Sequence, residues 1–133
     1  MAQLHQRIAM LSDVIEYTHG VYETVLPCVF CAELEGGKYY VALTRNFNEL
    51  MAKWRSNQGP HWVREFKLRR IVEIEPNGNV HALKLMTIYW MLKVGIFNVR
   101  SSIPGHSSVH MSTPPHFFEQ FLKRYVGRQL RLC

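Results

Sequence analysis

Acidic residues are scarce in this chain, and their absence is concentrated: no aspartate or glutamate lies between Glu75 and Glu119. That stretch cannot supply the carboxylate that a hard divalent cation or a general acid–base catalyst uses. Cysteine is scarce too. The three present, Cys28, Cys31 and Cys133, are an odd number without framework spacing, which points to a reduced, intracellular setting. No apolar run is long enough to span a bilayer, and polar residues interrupt the first thirteen positions where a signal peptide has an unbroken apolar centre. No Asn-x-Ser/Thr acceptor occurs.

What is present belongs to a folded protein. A length of 133 residues, 47% hydrophobic and 20% charged, suits one domain over 1–133 with a real core. The net charge of +6 is unevenly spread. Lys53, Arg55, Arg64, Lys67, Arg69 and Arg70 stand against Glu65 alone, and Lys123, Arg124, Arg128 and Arg131 form a second basic group. Such a surface suits phosphate or another polyanion, and it equally serves plain solubility.

Periodicity predicts an amphipathic helix over 2–17, with Leu4, Ile8, Leu11 and Ile15 on one stripe and Gly20 just beyond. Two β-prone runs over 28–44 meet at Gly36-Gly37, a hairpin signal. "NFNELMAKWRSN" reads as a helix capped by Asn46 and broken by "QGP"; "LRRIVEIE" reads as a third strand, although its alternation is imperfect. Residues 81–93, "HALKLMTIYWMLK", form a helix stopping at Gly95, and 101–115 an irregular connection. Thr113 as cap and Pro114 as first residue start a last helix with a stripe of Phe118, Phe121, Leu122 and Tyr125. The expected fold is α+β, a small three-stranded, mainly antiparallel sheet flanked by helices, with added terminal helices at 1–19 and 114–133.

The helix at 81–93 is apolar nearly all round. Leu85, Met86, Tyr89 and Leu92 share one stripe, while Leu83 and Trp90 point elsewhere, so several neighbours must cover it. The two terminal stripes are candidates.

Hairpin, helix, strand and helix in this order resemble the GIY-YIG nuclease superfamily over 28–100. "GGKYYVALT" is similar to that family's second strand, with Tyr40-Val41-Ala42 at its Tyr-Ile-Gly, and "GPHWVREF" is similar to its aromatic, basic segment. "ALKLMTIYWMLKVGIFNVR" resembles its catalytic helix with a G-x-x-N-V-R tail, as in a branch found among large DNA viruses. The resemblance implies a metal-dependent DNA endonuclease with a hairpin tyrosine, a helix arginine and a glutamate. Each matching position departs from that set. Phe30 lacks the tyrosine hydroxyl, Ala42 replaces glycine, Glu49 or Leu50 stands for the arginine, and Met86 stands for the glutamate. A thioether does not hold magnesium. The expectation is a catalytically degenerate, non-enzymatic binding or scaffolding module without a cofactor, metal or small-molecule substrate. Two alternatives stand beside it: a structural subunit of a viral particle or other complex, and an endonuclease with an atypical site. The expected location is the cytoplasm, nucleus or virion.

Arg55, Trp62, Arg64, Lys67, Arg69 and Arg70 are the candidate contacts for nucleic acid bound without sequence preference, with Trp62 in a loop as the exposed ring. Trp54, one turn past Leu50 on a stripe with Phe47, reads as a core anchor, while Phe66 is open to either role. Phe117, Phe118, Phe121, Leu122 and Tyr125 outnumber what one docked helix needs and are candidates for a protein interface. Cys28-x-x-Cys31 has the spacing of a zinc knuckle that His106, His110 and His116 could complete. On a strand, however, those sulfurs face opposite sides, and buried thiols are expected instead. His106 and His110 read as ordinary loop residues, and Ser101-Ser102 has no base nearby in sequence.

Overall fold

The computed structural model describes residues 27–132, with side chains as far as Tyr125. The expected helix over 2–17, the side chains of Arg128 and Arg131, and Cys133 lie outside the described residues.

The hairpin is built as expected. β1 (Cys28–Leu34) and β2 (Tyr39–Thr44) pair antiparallel around a turn at Glu35–Gly37, closed by Leu34 N–H donating to Lys38 O at 2.7 Å. Gly36 and Gly37 have φ of 74° and 73°, a conformation that residues with a Cβ rarely adopt. The chain then runs through α1 (Phe47–Arg55), α2 (His61–Glu65), β3 (Leu68–Pro76), α3 (Val80–Val94), a 3-10 turn, β4 (Val99–Ser101) and α4 (His116–Leu132).

The sheet has four strands in the order β3-β1-β2-β4, and β4 runs parallel to β2. The expected three-stranded antiparallel sheet is therefore corrected to a mixed, four-stranded one. The added strand is the Val99-Arg100 end of the G-x-x-N-V-R segment; three residues are too short for an alternation signal. Two more boundaries differ. α2 forms where a loop is expected, and α4 begins at His116 instead of residue 114, because the residue before a proline avoids helical ψ and Pro114 precedes Pro115.

β1 holds the fold together. It has a partner on each edge, and its alternate side chains feed two cores. Cys28, Phe30, Ala32 and Leu34 join Phe47, Met51, Trp54, Trp62 and Val63 from α1 and α2. Val29 and Cys31 join Leu83, Met86, Trp90 and Met91 of α3, with Val99, Ile103 and Phe118. Phe30 meets Phe47 edge-on at 5.2 Å between ring centres. The cysteines thus face opposite sides, and burial pushes the Cys28 thiol up to about 11 and Cys31 well above its usual value.

α3 buries Leu83, Met86, Thr87, Ile88, Trp90 and Met91, whereas Leu85, Tyr89 and Leu92 are exposed. The expected stripe of Leu85, Met86, Tyr89 and Leu92 is thus split, Met86 lying in the core and the other three outside it. The sheet covers one side of the helix, and Phe118 of α4 and Ile103 cover another.

β1 also explains an obligatory glycine. A Cβ at Gly78 would sit 2.5 Å from Val29 Cγ2 and 2.8 Å from Val29 N, so the central strand itself would have to move. Gly37 meets nothing within 4 Å, and only its φ opposes substitution. Gly78→Ala is expected to cost about 1–3 kcal/mol as an overpacked site, more than Gly37→Ala. Urea midpoints at constant m-value measure both, and an equal or smaller loss for Gly78→Ala would contradict this packing.

A basic cleft beside the edge strand

α1 buries Phe47, Met51 and Trp54 on one face and brings Lys53 and Arg55 into its last turn, where cations favour the helix dipole. Asn46 caps its start, with Oδ1 accepting from Glu49 N–H at 3.0 Å. Its end is a Schellman turn: Gln58 N–H donates to Lys53 O and Asn57 N–H to Trp54 O, with Asn57 at φ 62°. The turn places the Asn57 side chain where Lys67 Nζ donates to its Oδ1 at 3.1 Å, tying the end of α1 to the start of β3.

β3 is an edge strand, and its register with β1 slips twice. Cys31 pairs with Glu73 and Ala32 with Ile71; Glu33 pairs with Arg70 and Leu34 with Leu68. Val72 and Arg69 are therefore the extra residues of two bulges, which re-aim side chains. Between α1 and this bulged strand lies a cavity of about 310 Å³ lined by Trp54, Arg55, Asn57, Lys67, Leu68 and Arg69. Trp54 is largely buried in its wall, and its indole N–H has no partner among the described residues.

Three of the expected nucleic-acid contacts, Arg55, Lys67 and Arg69, meet there. Arg64 is exposed on α2 and is not among the lining residues. Arg70 turns instead to Glu33, Nε donating to Oε2 at 2.9 Å, so a carboxylate already occupies it. Trp62 is not an exposed stacking ring. It is buried, donates from Nε1 to Tyr39 O at 3.0 Å, and packs edge-on to Phe66 at 4.7 Å between ring centres. α2 turns it inward, which a loop reading of "GPHW" could not show.

The positions named by the nuclease resemblance do not share one groove. Phe30, Tyr40 and Ala42 are buried on the α1 side, Met86 is buried on the α3 side, and Glu49 and Leu50 sit on α1. Burial raises Tyr40 to about 12. Among the described residues, no group of three or more His, Cys, Asp or Glu is arranged to hold a metal ion, and no helix is long and apolar enough to cross a membrane. No family model, curated protein or solved structure matches the chain.

A polar cluster that the sequence did not reveal lies behind Trp62. Arg100 is buried with no carboxylate partner among the described residues. Its guanidinium lies 4.2 Å from the centre of the Trp62 ring and donates to the carbonyls of Phe97, Val99, Ser108 and Val109 at 2.6–3.3 Å. Carbonyl dipoles and a ring face thus replace a counter-ion. His106, expected as an ordinary loop residue, is fully buried with Nδ1 2.7 Å from Ser101 Oγ. Folding thus places a histidine beside Ser101, and both side chains are buried. The pair latches the loop: Ser101 N–H donates to His106 O, and His106 N–H to Ile103 O. The acid-free stretch around the N-V-R segment was the available signal, since an arginine there must find neutral partners.

Of the expected interface residues, Phe118 is part of the protein's own core, and Phe117 and Phe121 are partly buried against it. Leu122 and Tyr125 are exposed. The correction for Phe118 follows from its contact with the α3 side of the sheet, which one docked helix already requires.

Burial, and then the charge of Arg100, lower the His106 pKa from 6.5 to about 4. Between those values the unfolded chain binds the proton more readily, so this contribution is full above pH 6.5 and is lost as pH falls toward 4. The loss approaches roughly 3 kcal/mol. Urea unfolding of His106→Asn is expected to show a flatter pH dependence across that window than the native chain. Parallel curves would contradict the buried, neutral imidazole.

Proposed function

We propose that the protein is a non-catalytic binding module that holds a nucleic-acid backbone, without sequence preference, in the basic cleft. The observation that carries this reading is the convergence of Arg55, Lys67 and Arg69 on one cavity with no carboxylate among its lining residues. Neither Arg55 nor Arg69 makes an ion pair among the described residues. Phosphate oxygens are the natural ligands of such a cleft, and cations at these positions carry no information about base sequence. The bland reading is that Lys67 and Arg69 only blunt an edge strand against pairing with another chain. That role needs charge of either sign and no third cation from α1.

The absence of catalysis is part of the proposal. Phe30 and Met86, the positions that the nuclease resemblance would give to a tyrosine and a metal-binding glutamate, are buried on opposite faces of the sheet, which supports it. Purified protein is expected to leave DNA uncut with magnesium or manganese. Cleavage abolished by a substitution in the cleft would overturn this.

Binding to a short duplex is expected to weaken with salt, log affinity falling against log salt with a slope near −3 for about three phosphate contacts. Reversing Arg55, Lys67 and Arg69 to glutamate should remove most of that slope, whereas Arg70→Glu should change it far less. Salt-independent binding, or binding untouched by the triple reversal, would defeat the assignment.

A further inference from the structure

The first turn of α3, the end of β2 and the loop after β4 form a cavity of about 480 Å³ that shares no residue with the basic cleft. Leu43 from β2, Val80 and Leu83 from α3, and Ile103 and Pro104 from the loop make its walls apolar. Two polar side chains, Lys84 and Ser102, complete the lining, which holds no acid, histidine or cysteine. A preformed apolar cavity of this size, with a few polar groups at fixed places, is the usual form of a small-molecule site.

Local chemistry holds these walls in place. Ser102 extends the pairing of β4 with β2: its N–H donates to Val41 O at 2.9 Å, and its Oγ accepts from Leu43 N–H at 3.1 Å. Ser101 and His106 close the loop behind it, and Ile103 is buried in the core on the α3 side. On the other wall Asn79 caps α3, Oδ1 accepting from Ala82 N–H at 2.9 Å, so Val80 is fixed as the first helical residue.

The polar groups select the charge of the occupant. Lys84 makes no ion pair or hydrogen bond with another described residue, and an ammonium only donates. Ser102 Oγ already accepts from Leu43, while its own proton has no acceptor among the described residues. Both groups therefore ask for an anionic oxygen. α3 adds to this demand. Its first turn has no acidic residue, so the positive end of the 15-residue helix meets no anion at this lip. The adjoining chain cannot supply one, since no aspartate or glutamate lies between Glu75 and Glu119.

We infer that this cavity binds a small carboxylate with an aliphatic tail, the carboxylate on Lys84 and Ser102 and the tail against Leu43, Leu83 and Ile103. A carboxylate offers a pair of acceptor oxygens to the two donor groups, and the apolar walls take the tail out of water. The ligand is held and not transformed, because no histidine or carboxylate on the walls can take the Ser102 proton. A cationic amphiphile would meet Lys84 with like charge, and a neutral one would leave it unpaired.

The test titrates the isotope-labelled full chain with octanoate, octylamine and 1-octanol and follows its amide resonances. Octanoate is expected to shift Leu43, Leu83, Ser102 and Ile103 saturably, with a Kd of about 1 mM or below for a ligand of this size. Octylamine should leave these resonances in place, and 1-octanol should bind at least about fivefold more weakly. Lys84→Gln is expected to weaken octanoate about fivefold. Val80→Glu puts a carboxylate at the lip, where the helix dipole favours it, so the fold is retained while octanoate binds about tenfold more weakly or worse. Both substitutions lie away from the basic cleft and should leave the salt slope of duplex binding as it is in the native chain. Absence of a saturable octanoate shift at these residues would overturn the inference. So would equal binding of octylamine or 1-octanol, or an octanoate affinity indifferent to Lys84→Gln or to Val80→Glu.

Discussion

β1 is a strand buried on both faces and hydrogen-bonded along both edges, and the rest of the fold is arranged around that demand. Its apolar side chains require a layer on each side, which α1 and α2 supply on one face and α3 and α4 on the other. Its two edges require strands, so β2 and β3 are held in place and their outer edges become the borders of the sheet. One border is completed by β4. The other is left to β3, whose register with β1 is broken by two bulges.

The cleft follows from this arrangement. α1 is fixed to the sheet by Phe47, Met51 and Trp54, so its last turn must arrive at the edge where β3 begins. There a left-handed Asn57 and a bulged Arg69 border the cleft between Arg55 on one side and Lys67 with Arg69 on the other. On the far side of the domain the same sheet has a different polar solution. Arg100 enters from β4, and with no carboxylate in its stretch of chain it is satisfied by four carbonyls and a tryptophan face. That cluster pins the loop after β4 while leaving the chemistry of the surface untouched.

Much of the fold was legible in the sequence because strong local signals agreed with the tertiary outcome. Gly36-Gly37, Asn46 and Gly95 marked their turn, cap and stop correctly, and the opposite facing of Cys28 and Cys31 followed from strand alternation alone. β3 was harder to read because each bulge adds a residue, so Leu68, Ile71 and Ile74 recur every third position instead of every second. The inward turn of Trp62 depended on a five-residue helix, and the β4 pairing on three residues, both below the length at which periodicity speaks. For the cleft, composition located the basic run but could not separate Arg69, displaced by a bulge, from its neighbour Arg70, occupied by Glu33 from another strand. The burial of His106 and Arg100 was set by loop closure over long range, which no local pattern records.

The claim that most needs testing is that this cleft, and not the basic surface at large, holds the polyanion. Titrating the isotope-labelled full chain with a short duplex and following its amide and indole resonances would locate the contact residue by residue. The account predicts the largest shifts at Arg55, Asn57, Lys67, Arg69 and the Trp54 indole, with Arg70 and the α3 face little changed. Shifts centred on Lys84 and Arg124, or spread evenly over every exposed lysine and arginine, would contradict it.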